Sequence, residues 1–273
     1  MPNRGLTTFA VCLCLFWIAL STFAWFNEVF ILGVPASIGV LAGPTLVSFV
    51  LSGLFTLLNS YHLRKAEAVA KTQVEQLEKT QMELIRTLSE AAEARSGETG
   101  AHIKRVAAYS RFLAELIGLS EQECSAIKNA ATLHDIGKLA IPDAVLNKPA
   151  RLSPEEFAVM RTHAEKGRDL LIMSDQPLFH VGARIAYGHH EKWNGSGYPQ
   201  GLNGESIPLE ARIVALADVF DALGTKRVYK DAWPDSRIKE YIEHESGQHF
   251  DPTLSECFLR HFSKFADIRQ RYS

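Results

Sequence analysis

The sequence predicts an all-α chain: two membrane-spanning helices, a long linker helix that can form a coiled coil, and an all-helical domain. Three observations carry this. From Gly5 to Leu63 there is no Lys or Arg and the only carboxylate is Glu28, whereas charge is dense from Arg64 onward. Residues 61–96 contain neither Pro nor Gly and are rich in Ala, Glu, Lys, Gln and Leu, the residues of a long helix. Beyond them helix-start signals recur, and no stretch alternates apolar and polar residues long enough to make a strand.

The first apolar stretch, Leu6 to Phe26, has the length needed to cross a hydrocarbon core of about 30 Å. A second apolar region runs from Val29 to Leu58 and holds Pro35, Gly43 and Pro44. Its last part, about 38–58, reads as a second span, with a short loop from Asn27 to about Ser37. Arg4 precedes the first span, and Arg64 and Lys65 follow the second. The positive-inside rule then puts both termini in the cytoplasm. A cleaved signal peptide is disfavoured because the second apolar region follows with almost no polar break. The expected organisation is a hairpin at 1–60, a linker at 61–96 and a domain at 84–265 whose first helix continues the linker.

In the linker Leu63, Ala70, Leu77 and Leu84 recur every seven residues, and the positions four later are Glu67, Val74, Gln81 and Leu88. This is a broken coiled-coil seam, read as a homodimer contact or as a solvated spacer. Polar Glu67 and Gln81 weaken it.

In the domain Ser120 and Glu123 form a capping box, Ser153-Pro154-Glu155-Glu156 sets an N-cap before a first-turn Pro, and Asp251-Pro252 repeats that design. Pro208 opens a helix running through Leu223. The formal net charge of −2 and the lack of a basic stripe exclude duplex nucleic acid as the main partner. Four cysteines, with Cys12-x-Cys14 inside an apolar run and Cys124 and Cys257 isolated, suggest neither a disulfide framework nor a zinc ribbon.

The chemistry lies in the ten histidines. Five sit with acidic residues in short segments: Glu98-Thr-Gly-Ala-His102, His134-Asp135-Ile-Gly-Lys138, His163, His189-His190-Glu191 and Asp218-Val-Phe-Asp221. Imidazoles and carboxylates without thiolate suit Fe, Mn or Zn, and the set exceeds what one tetrahedral ion needs. Burying so many titratable groups without a cation is costly. Two neighbouring metals serve phosphate ester hydrolysis, and Lys138, one turn after His134, can touch the same phosphate.

These residues resemble the HD-GYP family of metal-dependent phosphohydrolases. His134-Asp135-Ile136-Gly137-Lys138 looks like its HD signature. The run from His189-His190-Glu191 through Gly195-Ser-Gly197-Tyr198-Pro199 to Gly201-Leu202 looks like its GYP signature. Ile207-Pro208, Ala211-Arg212-Ile213, Ala217-Asp218-Val-Phe-Asp221 and Phe250-Asp251-Pro252 also match, so agreement spans roughly Leu84 to Phe262.

The resemblance implies a phosphodiesterase of bacterial second-messenger signalling that opens c-di-GMP to pGpG or on to GMP. It implies two or three divalent ions, iron or manganese, held by His102, His134, Asp135, His163, His189, His190 and Asp218, with Asp135 bridging. Glu98 corresponds to a ligand that in some members admits a third metal. Lys138 would contact the scissile phosphate, and Arg227 and Lys230 the other phosphate or a guanine. Tyr198 either contacts a base or only packs. The expected setting is the bacterial inner membrane, with GGDEF or other signalling proteins as partners. Val228 stands where the family has Pro, and Asn194 where it often has Asp. A relay that binds c-di-GMP without turnover, and a phosphodiesterase for another cyclic dinucleotide, are the alternatives.

Overall fold

The computed structural model describes residues 4–31, 38–96, 100–226 and 231–272, with side chains of 4–14, 28–29 and 38–46 outside that description. The chain divides into two compact units, Met1–Lys79 and Thr80–Ser273. Among the described residues the secondary structure is helical, apart from isolated bridges pairing Asn194 with Asn203 and Ser246 with Phe250.

The first unit holds α1 (Arg4–Phe26), a π-helical turn (Asn27–Ile31) and the beginning of α2 (Ile38–Arg95). The expected spans at 6–26 and 38–58, and with them the inner-membrane setting and membrane partner, are overturned. Among the described residues no helix is long and apolar enough to cross a membrane. α2 itself is a 58-residue helix that is charged from Arg64 on.

The second unit begins inside α2. Its final turns bury Ile85, Ser89, Ala92 and Glu93, a stripe at helical spacing. Ile85 and Ala92 pack with Leu133, Ile136, Leu171, Ala183 and Ala186. The heptad read from the sequence lies on a different face, where Leu77, Leu84 and Leu88 are exposed.

There follow α3 (Gly100–Leu116), α4 (Glu121–Ala131), a 3-10 turn (Ile136–Ala140), α5 (Asp143–Leu146), α6 (Pro154–Leu171), α7 (Pro177–Gly188) and α8 (Leu209–Gly224). The chain closes with α9 (Asp235–His244), α10 (Pro252–Arg260) and α11 (Phe262–Arg271). The caps form as expected. Ser120 and Ser153 accept from the amides of Glu123 and Glu156, whose carboxylates accept from the serine amides in return. Asp251 accepts from the amides of Thr253 and Leu254. Each satisfies orphan first-turn donors.

α3, α4, α7 and α8 pack together, and α9 to α11 complete a second side whose centre is aromatic. Tyr109, Phe220, Phe258 and Phe265 are fully buried there, with the Phe220 ring edge-on to Tyr109 at 4.9 Å and to Phe258 at 5.0 Å. This core fixes α3 against α8, and therefore His102 against Asp218.

On the other side α6 meets the turn after His134-Asp135 at backbone distance. A Cβ on Gly137 would lie 1.9 Å from the His163 carbonyl oxygen and 2.5 Å from the Gly167 nitrogen, so only glycine admits this approach. Gly137→Ala is expected to destabilise the domain by about 1–3 kcal/mol, read from denaturant unfolding, and to lower metal content by moving α6, and His163 with it, away from Asp135.

Candidate metal centre

Four histidines reach the centre with one ring nitrogen already committed. His134 Nδ1 bonds to the Ala131 carbonyl at 2.9 Å, His163 Nδ1 to the Met160 carbonyl at 2.8 Å, and His189 Nδ1 to the Ile185 and Ala186 carbonyls at 3.1 Å. A carbonyl only accepts, so each Nδ1 carries the proton and each Nε2 of a neutral ring is a bare acceptor. His102 follows the same rule with a carboxylate: its Nδ1 lies 2.8 Å from Asp221 Oδ2. Asp221 is gripped in turn by Arg105, whose Nε and Nη2 donate at 2.6 and 2.9 Å. Burial favours the acid form of Asp221, but the hydrogen bonds from His102 and Arg105 outweigh it and hold the carboxyl below its usual range.

The free Nε2 atoms converge on Asp135. Its Oδ1 lies 3.1 Å from His163 Nε2 and 3.6 Å from His189 Nε2, and its Oδ2 lies 3.3 Å from His134 Nε2. His190 Nε2 stands 3.1 Å from His163 Nε2. On the other side His102 Nε2 is 3.5 Å from Asp218 Oδ1. The candidate ligand atoms of Asp135, His163, His189 and His190 all lie within 4.8 Å of one another, as do those of His102, His134 and Asp218, and those of Glu93, His134 and Asp135. His134 Nε2, His189 Nε2, Asp135 Oδ1 and Glu93 Oε1 are buried and without hydrogen-bond partners. Lone pairs facing lone pairs in a dry cage require protons or cations between them, and the donor set suits two or more borderline divalent ions.

The protonation pattern agrees. Burial lowers His134, but the carboxylates of Asp135, Asp218 and Glu93 outweigh it and push it up to about 10. Burial opposes ionisation of Asp135, yet the Lys138 ammonium and His134 hold it well below the usual carboxylate range. Burial, then the neighbouring His189 and His163, depress His190 and keep it neutral. Burial and the Asp135 carboxylate push Glu93 up.

The structure thus brings together His102, His134, Asp135, His163, His189, His190 and Asp218. Lys138 Nζ sits at the edge of the cage, 2.6 Å from Asp135 Oδ2 and 3.6 Å from Glu93 Oε2. The half-buried Tyr198 stacks on His190 with centroids 4.7 Å apart. Glu98, Arg227 and Lys230 lie outside the described residues.

Glu191, read beside the histidines, turns away from the centre. Its buried carboxylate accepts from the amides of Gln200, Gly201 and Leu202 at 2.7, 3.2 and 3.0 Å, fixing the loop that carries Tyr198. Gly197 makes room for this, since a Cβ there would lie 2.3 Å from the Lys192 nitrogen.

Glu93 is the site residue that sequence reasoning missed. It lies in the polar linker with no motif around it; only its place on the stripe Ile85, Ser89, Ala92 marks it as inward. Two residues on, Arg95 donates to the carbonyls of Lys138, Leu139 and Ile141 at 3.2, 2.8 and 3.2 Å and to Asp143 Oδ1 at 2.7 Å. The end of α2 therefore holds the turn that carries Lys138.

His134 yields a measurable consequence. Its folded pKa of about 10 lies above the ordinary 6.5, so its proton stabilises the metal-free chain fully below about 6.5 and that contribution fades as pH rises through 10. A metal must displace this proton. Mn(II) loading at pH 8 is expected to release protons, seen as a calorimetric enthalpy that varies with buffer ionisation enthalpy, and the release should shrink in His134→Ala. Glu93→Gln is expected to lower metal content by elemental analysis while leaving the fold intact.

The HD domain family profile matches residues 84–254. The chain is 52% identical over 193 residues to a 3′3′-cGAMP-specific phosphodiesterase of Vibrio cholerae, covering 71% of this chain and 37% of that protein. It is 45% identical over 198 residues to a cyclic di-GMP phosphodiesterase response regulator of Xanthomonas campestris, covering 72% of this chain and 52% of that one. The chain thus spans between a third and about half the length of these relatives. A solved cyclic GMP-AMP specific phosphodiesterase of Vibrio cholerae shares the fold, with a TM-score of 0.53 at 24% identity over 70% of this chain and 52% of that one. By the profile match over 84–254 and these relatives, the chain belongs to the HD domain family, in its HD-GYP branch.

Proposed function

We propose that this chain is a metal-dependent phosphodiesterase that hydrolyses a 3′–5′ phosphodiester of a cyclic purine dinucleotide. The observation that carries the reading is the convergence of the His134, His163 and His189 Nε2 atoms on Asp135. Such a cage is costly unless it holds cations, and a module that only bound nucleotide would have no need of it. The residues fitted to hold the metals are His163, His189 and His190 on one side of Asp135 and His102, His134 and Asp218 on the other, with Asp135 bridging and Glu93 or Glu98 available to a further ion. Iron or manganese fits the donors. Divalent ions bound there supply Lewis acidity toward water and the phosphoryl oxygens.

The chain's own residues do the rest. Asp135 stays ionised and shares its two oxygens between the two sets. Asp221 and the backbone carbonyls keep each Nδ1 protonated, so no Nε2 can turn away. Lys138, held between Asp135 and Glu93, can swing its ammonium to the scissile phosphate. Arg227 and Lys230 are assigned to the other phosphate or a base through the family resemblance.

We read c-di-GMP as the substrate from that resemblance. The 52% identity to a 3′3′-cGAMP-specific enzyme favours 3′3′-cGAMP as the second reading, because the two differ only in one purine. Exposed Leu77, Leu84 and Leu88 on α2 support a homodimer through the linker.

The test is turnover. The full chain, loaded anaerobically with Fe(II) or Mn(II), is expected to convert c-di-GMP or 3′3′-cGAMP to linear products on chromatography. His134→Ala and Asp135→Ala should each lower the rate at least about a hundredfold, as losses of metal-site groups do. Binding without turnover under either metal would make the chain a relay instead.

A further inference from the structure

Beyond the cage, α6 carries a cation that the described residues around it leave without an ion pair. Among the described residues the helix's acids are all engaged elsewhere: Glu155 with Ser153, Glu156 with Lys148, and Glu165 and Asp169 with Arg168. Its other basic residues are also occupied, since Lys166 donates to the Ala140 carbonyl at 3.0 Å and Arg168 pairs with Asp169 at 2.6 Å. Among the described residues Arg161 has no ion pair. Its guanidinium lies 4.6 Å from the centroid of the Tyr198 ring.

That ring leads directly to the metal centre. Tyr198 stacks on His190, and His190 Nε2 touches His163 Nε2. Phe157, one helical turn before Arg161 on α6, meets the Tyr198 ring edge-on at 6.2 Å and is 47% exposed. An unpaired guanidinium, an exposed phenyl ring and a half-buried phenol thus form one surface at the rim. Cation–π contact holds the guanidinium over the tyrosine without neutralising it. Aromatic rings and guanidinium planes are the groups on which unpaired nucleobases stack.

We infer that Arg161, with Phe157 and Tyr198, contacts a purine base of the nucleotide whose phosphodiester lies at the metals, and so helps set which dinucleotide is accepted. The inference rests on the phosphodiesterase reading for its substrate class. Arg161 touches substrate here and has no part in holding the metals.

The test separates base contact from support of His163. With the Mn(II)-loaded full chain, Arg161→Ala is expected to raise the Kd for a hydrolysis-resistant phosphorothioate analogue of c-di-GMP, and the KM for c-di-GMP and 3′3′-cGAMP, roughly tenfold or more, as loss of a base-stacking side chain does. Metal content and hydrolysis of bis(p-nitrophenyl) phosphate, a diester without bases, should stay unchanged. Arg161→Lys should recover little, because an ammonium lacks the flat guanidinium face.

Unchanged Kd in Arg161→Ala would overturn the inference, and so would full recovery in Arg161→Lys. Equal loss on the base-free diester would also overturn it, showing that Arg161 only supports the cage. A wild-type chain that binds the analogue but hydrolyses neither dinucleotide would defeat the phosphodiesterase reading and leave the Arg161 contact standing. One that binds no dinucleotide defeats both.

Discussion

The structure depends on where three imidazole protons are kept. By tying Nδ1 of His134, His163 and His189 to backbone carbonyls, the helices turn each Nε2 inward and leave it no freedom to rotate toward water. Every other feature of the centre answers to that constraint. Asp135 has to be ionised and shared, and Lys138 has to lie close by. A neutral cage of these residues would be unstable, and what resolves it is positive charge. The same arrangement that is costly without cations therefore selects what it can bind.

Holding these groups at 3 to 4 Å is a matter of packing rather than of local sequence. α6 comes to the HD turn over a glycine, and α3 is fixed to α8 by an aromatic core that includes Tyr109 and Phe220. His102 shows the coupling well. Its orientation comes from Asp221, Asp221's from Arg105, and both rest on helices aligned by Tyr109 and Phe220. The chemistry is thus shared between two sides of the domain, which α7 also joins by packing on α4, α6 and α8.

Much of this was legible in the residues. The helical class, the caps at Ser120, Ser153 and Asp251, and the grouping of His134, Asp135, His189 and His190 follow from spacing and composition, because caps and adjacent ligands are local. His163 stands alone, and its role came through resemblance. Glu93 and Arg161 were not legible at all, since each lies in a polar helical stretch and acquires meaning only from what the fold brings near. Glu191 was read with the ligands by adjacency, yet the chain turns between His190 and Glu191 and points the carboxylate into the loop. The paired spans were the opposite error. They were read from apolar length and flanking charge, whereas among the described residues no helix is long and apolar enough to cross a membrane, and the part of α2 read as a span belongs to a 58-residue helix that turns charged from Arg64.

The final turns of α2 serve two structures at once. They end the rod, and through Glu93 and Arg95 they also form a wall of the metal centre. For gene fusion or recombination, the workable seam consequently lies upstream of where the linker ends. A junction made at Ser96 would exchange the wall along with the rod, orphaning the carbonyls of Lys138, Leu139 and Ile141. A junction before Met82 would exchange the upstream segment and leave the domain whole. Evolution can swap what lies ahead of this domain freely only if the cut falls inside a helix that looks, from outside, uninterrupted.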